Sequence, residues 1–331
     1  MKRESDRSND NDVDRILCIG HCALDINFQI GEAIRENRKY RSTSRLIEGG
    51  GPAANAAAVA AAWSGPGRSY YAGPVGTDDF GYLLAAKLEY AGIDCRFVRR
   101  IPEYPTPVSC ILSNNADGKR TIINHRIVED LYSLPEDLTY DDDWRVVLGD
   151  GHCLAAMSYF IKIHPGVPSV LDAGSYHSGT AGLYRIVDYL IASSVFAGEV
   201  LKTDIEKHLE SPEDMRNLLQ KLKGGRDQFV AVTAGEKGTW FIDDLRGFGR
   251  CRAMESAVED STAAGDIFHG AFAYCIAKSW DIEKSLVFSS IAAGLSVEKH
   301  GGMTSIPPMD AVEERFGQLN GNGFSLITFY D

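Results

Sequence analysis

A carboxylate set among small residues just ahead of a helix is the most chemically suggestive feature of this 331-residue chain. In residues 260–272, DSTAAGDIFHGAF, the run Ala263, Ala264, Gly265 precedes Asp266, and Phe268, Phe272, Cys275 and Ile276 then recur at helical spacing. The pattern predicts a β-like run, a loop, and a helix that buries its apolar face. Small residues before the first turn leave backbone N–H groups uncovered, and with the helix dipole behind them those groups form a pocket for an anion such as phosphate. A carboxylate beside such a pocket repels the anion unless it has a task of its own. General base for a hydroxyl attacking a phosphate is such a task. The other role open to Asp266 is an N-terminal charge that favours its helix by roughly 0.3 to 1 kcal/mol.

A second polar constellation lies near the start of the chain. RILCIG at 15–20 reads as a buried parallel strand, and Asp25 follows it among apolar residues, where a carboxylate can accept hydrogen bonds from sugar hydroxyls or simply close a turn. IEGGGPAANAAAVAAAWSG at 47–65 then gives a glycine run, Pro52 at a first helical position, and an alanine-rich helix carrying Asn55. Gly50 and Gly51 permit close backbone approach. The G-x-G-x-x-G spacing of a dinucleotide loop and the G-K-[ST] of a P-loop are both missing.

Elements must hold these groups together. VVLGDG at 146–151, SVLDAG at 169–174 and DYLIASS at 188–194 are short apolar runs separated by helix-length segments, which predicts a parallel sheet covered on both faces. GPVGTDDFGYLLAAKLEYAGI at 73–93 predicts a helix with Leu83, Leu84, Leu88 and Ala91 on one side, closed by Gly92. The polar stretch 27–48 suits a small exposed sheet, and VSCILS and TIINH flank an Asp117-Gly118 hairpin turn. FVAVTAGEKGTWF at 229–241 reads as two strands joined by a glycine turn.

Composition narrows the partners. A formal charge of -12 argues against nucleic acid and anionic membranes, which both need a basic face. No apolar run approaches the roughly 18 residues of a membrane span, and the N-terminus has no apolar signal core, so a cytoplasmic protein is expected. Seven scattered cysteines make no disulfide framework. Residues 1–13 are read as a disordered tail ahead of one domain over 14–331.

DSTAAGD resembles the D-T-x-G-A-G-D signature of the ribokinase-like sugar kinases, the PfkB family, with Ser261 for Thr and Ala263 where Gly is usual. Gly50, Gly51 and Asn55 match its G-G-x-[AG]-x-N, and Gly20 with Asp25 its G-x(4)-D. The resemblance implies a three-layer α/β sandwich with a mostly parallel central sheet and a small β lid, here about 26–48 and 106–127, that often mediates homodimers. It implies ATP with Mg2+ as cofactors, a monovalent cation such as K+ as a further one, and a sugar as substrate. Asp266 would then be the catalytic base, the amides of Ala263, Ala264 and Gly265 the anion hole, and Asp25, Gly50, Gly51 and Asn55 the sugar site. Thr233, Gly235 and Gly238 match V-T-x-G-x-x-G and would line the nucleotide with Gly265. Of the family's N-x-x-E, Glu199 is kept as an indirect metal contact while Phe196 replaces Asn.

Local patterns around Lys39, Asn124 and 264–271 are also similar to the sulfofructose kinase branch, in which the positions of Lys39 and Asn124 contact an anionic group. An arginine expected there after VVL-x-D reads His152. A neutral sugar, fructose or ribose in type, is placed first. An anionic ketose such as sulfofructose or fructose 6-phosphate, a nucleoside, and a non-catalytic sugar-sensing role are the alternatives.

Overall fold

The computed structural model describes residues 14–114, 120–126, 130–139, 143–224, 227–321 and 325–331. The tail read at 1–13 and the Asp117-Gly118 turn lie outside them. The chain alternates strands β1 (Arg15–Ile19), β2 (Ala23–Ile30), β3 (Ser44–Gly50), β4 (Ser69–Gly76), β5 (Asp94–Ile101), β6 (Val108–Asn114), β7 (Arg120–His125), β8 (Trp144–Gly149), β9 (Ser169–Ala173), β10 (Tyr189–Ser193), β11 (Phe229–Thr233), β12 (Thr239–Asp243), β13 (Gly247–Cys251) and β14 (Ile327–Tyr330) with its helices. Those helices are α1 (Pro52–Ser64), α2 (Asp79–Tyr90), α3 (Glu136–Thr139), α4 (Leu154–Ile163), α5 (Ser178–Leu183), α6 (Ser194–Leu201), α7 (Pro212–Leu222), α8 (Ala264–Ala277), α9 (Ile282–Ser296) and α10 (Met309–Gly321).

Ten strands form one sheet in the order β14-β13-β12-β11-β10-β9-β8-β1-β4-β5. Every neighbour pair from β5 across to β11 is parallel, and β12, β13 and β14 then add antiparallel. The period of two places successive side chains on opposite faces. Ile16 and Cys18 of β1 join the core under α1, α2, α8, α9 and α10, whereas Leu17 and Ile19 join the core under α4 to α7. A strand buried on both faces has little room for polar side chains, which explains the mainly apolar runs of β8, β9 and β10 and makes buried Asp172 of β9 an exception.

The chain crosses from β1 into a second sheet through only Gly20, His21 and Cys22. That sheet has four strands, β3-β2-β6-β7, with β2 parallel to β6 and the outer pairs antiparallel. Small residues set the depth at which α1 meets α8. A Cβ added at Gly270 would lie 2.8 Å from the Ala56 Cα, so the two helices cross nearly backbone to backbone. This contact fixes the separation of the first turns of both helices.

Three sequence expectations are corrected. The β-like run ahead of Asp260 is not a strand, because β13 ends at Cys251 and residues 252–259 cross in irregular conformation to reach the first turn of α8. Leu83 is exposed, since the buried stripe of α2 is Gly81, Leu84, Ala85 and Leu88, and a neighbour of Leu84 in sequence is turned about 100° away from it. Helix α8 is buried all round from Ile267 to Ala277 instead of along one face, because it lies between the sheet and its neighbours α1 and α9.

Candidate active site

The loop before α8 is built around Asp260. Its Oδ1 accepts the Thr262 amide at 2.9 Å and the Thr262 hydroxyl at 2.6 Å, while Oδ2 accepts the Gly301 amide at 3.0 Å. These bonds bend the chain so that Ala263 caps the helix in the left-handed region, φ 58° and ψ 9°. Such a conformation costs an L residue about 1 to 3 kcal/mol, which accounts for glycine being the usual residue at this point of the related signature. In front of the first turn the space is open. A Cβ built on Gly265 meets no atom within 4 Å.

Asp266 stands in that first turn. The Asn55 amide donates to its Oδ2 at 2.7 Å, a bond made possible by the close crossing of α1 and α8. Loss of water around the carboxyl and then the field of Asp172 push its pKa up to about 7, against Asn55 and His269, which favour the ionised form. Asn55 is itself 3% exposed, and its Oδ1 is buried without a hydrogen-bond partner. An acceptor left unmatched in that position suits a hydroxyl donor arriving from outside.

Asp25 reaches the same place from β2. A Cβ at Gly50 would fall 1.9 Å from its Oδ2, and one at Gly51, which has φ 94°, would fall 2.7 Å from the His21 carbonyl oxygen. The two glycines therefore make room for the carboxylate and for the β1–β2 crossing. Register places Glu48, Asp25, Ser109 and Asn124 in one rung across β3, β2, β6 and β7. Burial, then Glu48 and Asp266, hold the Asp25 carboxyl up at about 7, with Ser109 pulling the other way. Asn124 ends the rung on an exposed strand edge.

A third group was not singled out in the sequence. Buried Asp150, just past β8, accepts the amides of His21 at 2.8 Å, Ala53 at 3.2 Å and His152 at 2.9 Å, tying together the starts of β2, α1 and α4. The nearby His152 ring, and then the His21 and His152 amides, hold its carboxyl well below the usual range despite burial. Arg126, which follows β7, brings Nη1 within 2.6 Å of His152 Nε2. A guanidinium thus reaches the position expected of an arginine after β8, but from another strand. Lys39 is not brought to it, and lies exposed on the loop between β2 and β3.

The nucleotide candidates lie at the far end of the same strand tips. Thr233 ends β11 beside Ser193, and its hydroxyl donates to the Ala192 carbonyl at 3.3 Å. Gly235 has open space where a Cβ would be, whereas Gly238, at φ 82°, would press one 2.3 Å from the Cys251 carbonyl oxygen. Glu199 is exposed on α6, and Phe196 is fully buried against Tyr176 and Tyr184. Among the described residues no group of three His, Cys, Asp or Glu side chains is placed to hold a metal ion. A cavity lined by Asp188, Tyr189, Gln228 and Phe229 opens at the opposite, amino ends of β10 and β11. It has no part in this site.

The carboxyl ends of parallel strands, a carboxylate at a helix start and an open loop before it are where α/β proteins bind phosphorylated ligands. Comparison with known proteins agrees. Ribokinase from Arabidopsis thaliana is 26% identical over 315 residues, covering 90% of this chain and 79% of its own. Fructokinase from Vibrio alginolyticus is 23% identical over 312 residues, covering 87% and 98%. The structure of Arabidopsis thaliana ribokinase complexed with ribose and ATP shares the fold, with a TM-score of 0.75 at 23% identity over 91% of this chain and 97% of that one. The family described as pfkB family carbohydrate kinase matches residues 13–148 and 150–309, nearly the whole of the folded chain. The chain belongs to the pfkB family of carbohydrate kinases.

Proposed function

We propose that this kinase transfers the γ-phosphoryl group of ATP to a hydroxyl of a neutral sugar, a ketose of the fructose type or ribose, with Asp266 as the general base. The observation that carries this reading is the Asn55–Asp266 hydrogen bond of 2.7 Å at the mouth of the open loop, which joins the sugar segment to the phosphate segment. Asp25 and the free Oδ1 of Asn55 hold sugar hydroxyls. Asp266 removes the proton from the attacking hydroxyl, and the amides of Ala264, Gly265 and their neighbours stabilise charge on the transferring group. One such donor is typically worth about 3 kcal/mol of barrier. Thr233 and the turn from Gly235 to Gly238 line the nucleotide.

The residues present do not fit a magnesium ion held by the protein. Glu199 is exposed, Phe196 offers no donor, and among the described residues no group of three metal-ligating side chains is present, so the ion is read as part of the ATP complex that binds. The four-stranded sheet acts as a lid that excludes water, which would otherwise compete with the sugar. Ile122 and Ile123, 49% and 63% exposed on β7, suit pairing of two such sheets in a homodimer. Seven unpaired cysteines suit the cytoplasm.

The test is ADP release across fructose, ribose, sulfofructose, fructose 6-phosphate and adenosine, with Asp266→Asn in parallel. A neutral sugar should be preferred and the variant should lose about 100-fold or more in kcat while retaining sugar binding. Preference for an anionic ketose or for adenosine would reassign the substrate. A variant within a few-fold of the parent would remove Asp266 from the chemistry.

A further inference from the structure

Beneath the first turn of α8 lies a histidine that the transfer chemistry does not use. His269 is 3% exposed, and its ring turns back along the helix so that Nδ1 lies 2.6 Å from the Gly265 carbonyl oxygen while Nε2 lies 3.1 Å from the Ile191 carbonyl oxygen of β10. Carbonyl oxygens only accept. A neutral imidazole would face one of them with a lone pair, an unrelieved buried repulsion, so each nitrogen needs a hydrogen. Asp172, on β9, supplies the opposite charge. Its Oδ2 is 3.3 Å from His269 Nδ1, is 4% exposed as a residue, and makes no hydrogen bond of its own.

The charged and titratable groups around this ring are Asp172 from β9, Asp266 from α8 and, beyond them, Asp150 from the end of β8. Asn55 of α1 bonds Asp266 on its other side. Burial pushes both the Asp172 and the Asp266 carboxyls up to about 7. Burial also drives the imidazole toward its neutral form, opposed by its two carbonyl partners and by Asp266. The geometry decides for the charged ring, because a neutral imidazole would leave a carbonyl facing a lone pair, whereas an imidazolium gives both carbonyls a donor and sets a positive charge beside Asp172.

We propose that His269 is a positioning residue for phosphoryl transfer: as an imidazolium clamped between Asp172 and the Gly265 and Ile191 carbonyls, it fixes the anion loop and keeps Asp266 ionised near neutral pH. The proposal rests on the reading of Asp266 as the base. Its effect is electrostatic as well as steric, and that separates it from a histidine that merely fills space.

Two measurements on the full chain test it. Nitrogen-15 spectra of the histidine-labelled parent protein should show both His269 ring nitrogens protonated at pH 7. A single neutral tautomer would overturn the proposal, whatever the activity of the protein. His269→Asn keeps an amide donor for the Gly265 carbonyl but carries no charge. Its kcat/KM against pH should keep the parent's plateau at pH 9 within about threefold, while the acid limb moves up by about one pH unit, roughly a tenfold loss at pH 6.5. A uniform loss at all pH values would make the residue structural only and overturn the electrostatic role. If the variant does not fold, the nitrogen-15 result decides alone. Asp266→Asn measured beside it keeps the two readings apart, since near-parental activity there removes the base while the ring's protonation state still stands as measured.

Discussion

The side-chain amide of Asn55 donates to Oδ2 of Asp266 at 2.7 Å, linking positions 211 residues apart. The bond does more than hold a geometry. A donor aimed at a carboxylate favours its charged form, so Asn55 opposes the burial that drives Asp266 toward neutrality.

The parent enzyme should therefore gain activity as pH rises through about 7, the pKa of the Asp266 carboxyl, since only the ionised form can accept the hydroxyl proton. A kcat/KM profile flat between pH 5.5 and 8.5 would show that no such base limits the reaction.

Asn55→Ala removes the donor, so the Asp266 pKa should rise further and the acid limb should move to higher pH. The loss of kcat/KM should be larger at pH 6.5 than at pH 8.5, on top of a higher sugar KM from the lost hydroxyl contact. A hydrogen bond of this kind is worth roughly 1 to 3 kcal/mol. Parallel profiles for parent and variant would leave Asn55 a packing residue.

Gly50→Ala places a methyl group 1.9 Å from Asp25 Oδ2 unless the carboxylate moves. The expected result is a sugar KM raised about tenfold or more, with the ATP KM within about twofold, because the residues proposed for the nucleotide, Thr233, Gly235 and Gly238, lie on and after β11. Equal effects on the two substrates would sink the division of the site into sugar and nucleotide halves.

Asp150→Ala leaves three amides from three segments without their acceptor. Each buried donor so stranded costs roughly 1 to 3 kcal/mol, and denaturant unfolding should show a loss of about 3 kcal/mol or more. The folded-state pKa of Asp150 is depressed, so its contribution is present above the unfolded carboxylate value of about 3.9 and is lost as pH falls below that. The gap between parent and variant should accordingly narrow in acid. A gap that widened below pH 4 would contradict the assignment.

Much of the architecture could be read from the chain because strand and helix periods are local. The runs at 146–151, 169–174 and 188–194 are strands β8, β9 and β10, and Pro52 opens α1. Asn55 and Asp266 stood out for the same reason, each lying in a short stretch of distinctive composition. The meeting of Arg126 with His152 was out of reach, since it depends on how the end of β7 lies over the end of β8, and nothing in either segment encodes the other. Asp172 and His269 were hidden similarly, each passing for an ordinary member of an apolar element. Strand β14, Ile327–Tyr330, consists of strand-favouring residues, but nothing so short shows which edge it joins, and its place is set by pairing with β13.

Glu48, on β3, accepts the Gly302 amide at 2.8 Å, and the Thr304 amide and hydroxyl at 3.0 Å each. It rivets one edge of the four-stranded sheet to the segment behind α9, whereas β7 at the opposite edge is exposed from Thr121 to His125. Any swing of the sheet that preserves the rivet turns about β3, like a hatch on a fixed hinge post, and β7 with Asn124 then sweeps the widest arc. Glu48→Gln, which would trade charge-assisted bonds for neutral ones, loosens the post and also removes a negative charge from beside Asp25 in the same rung.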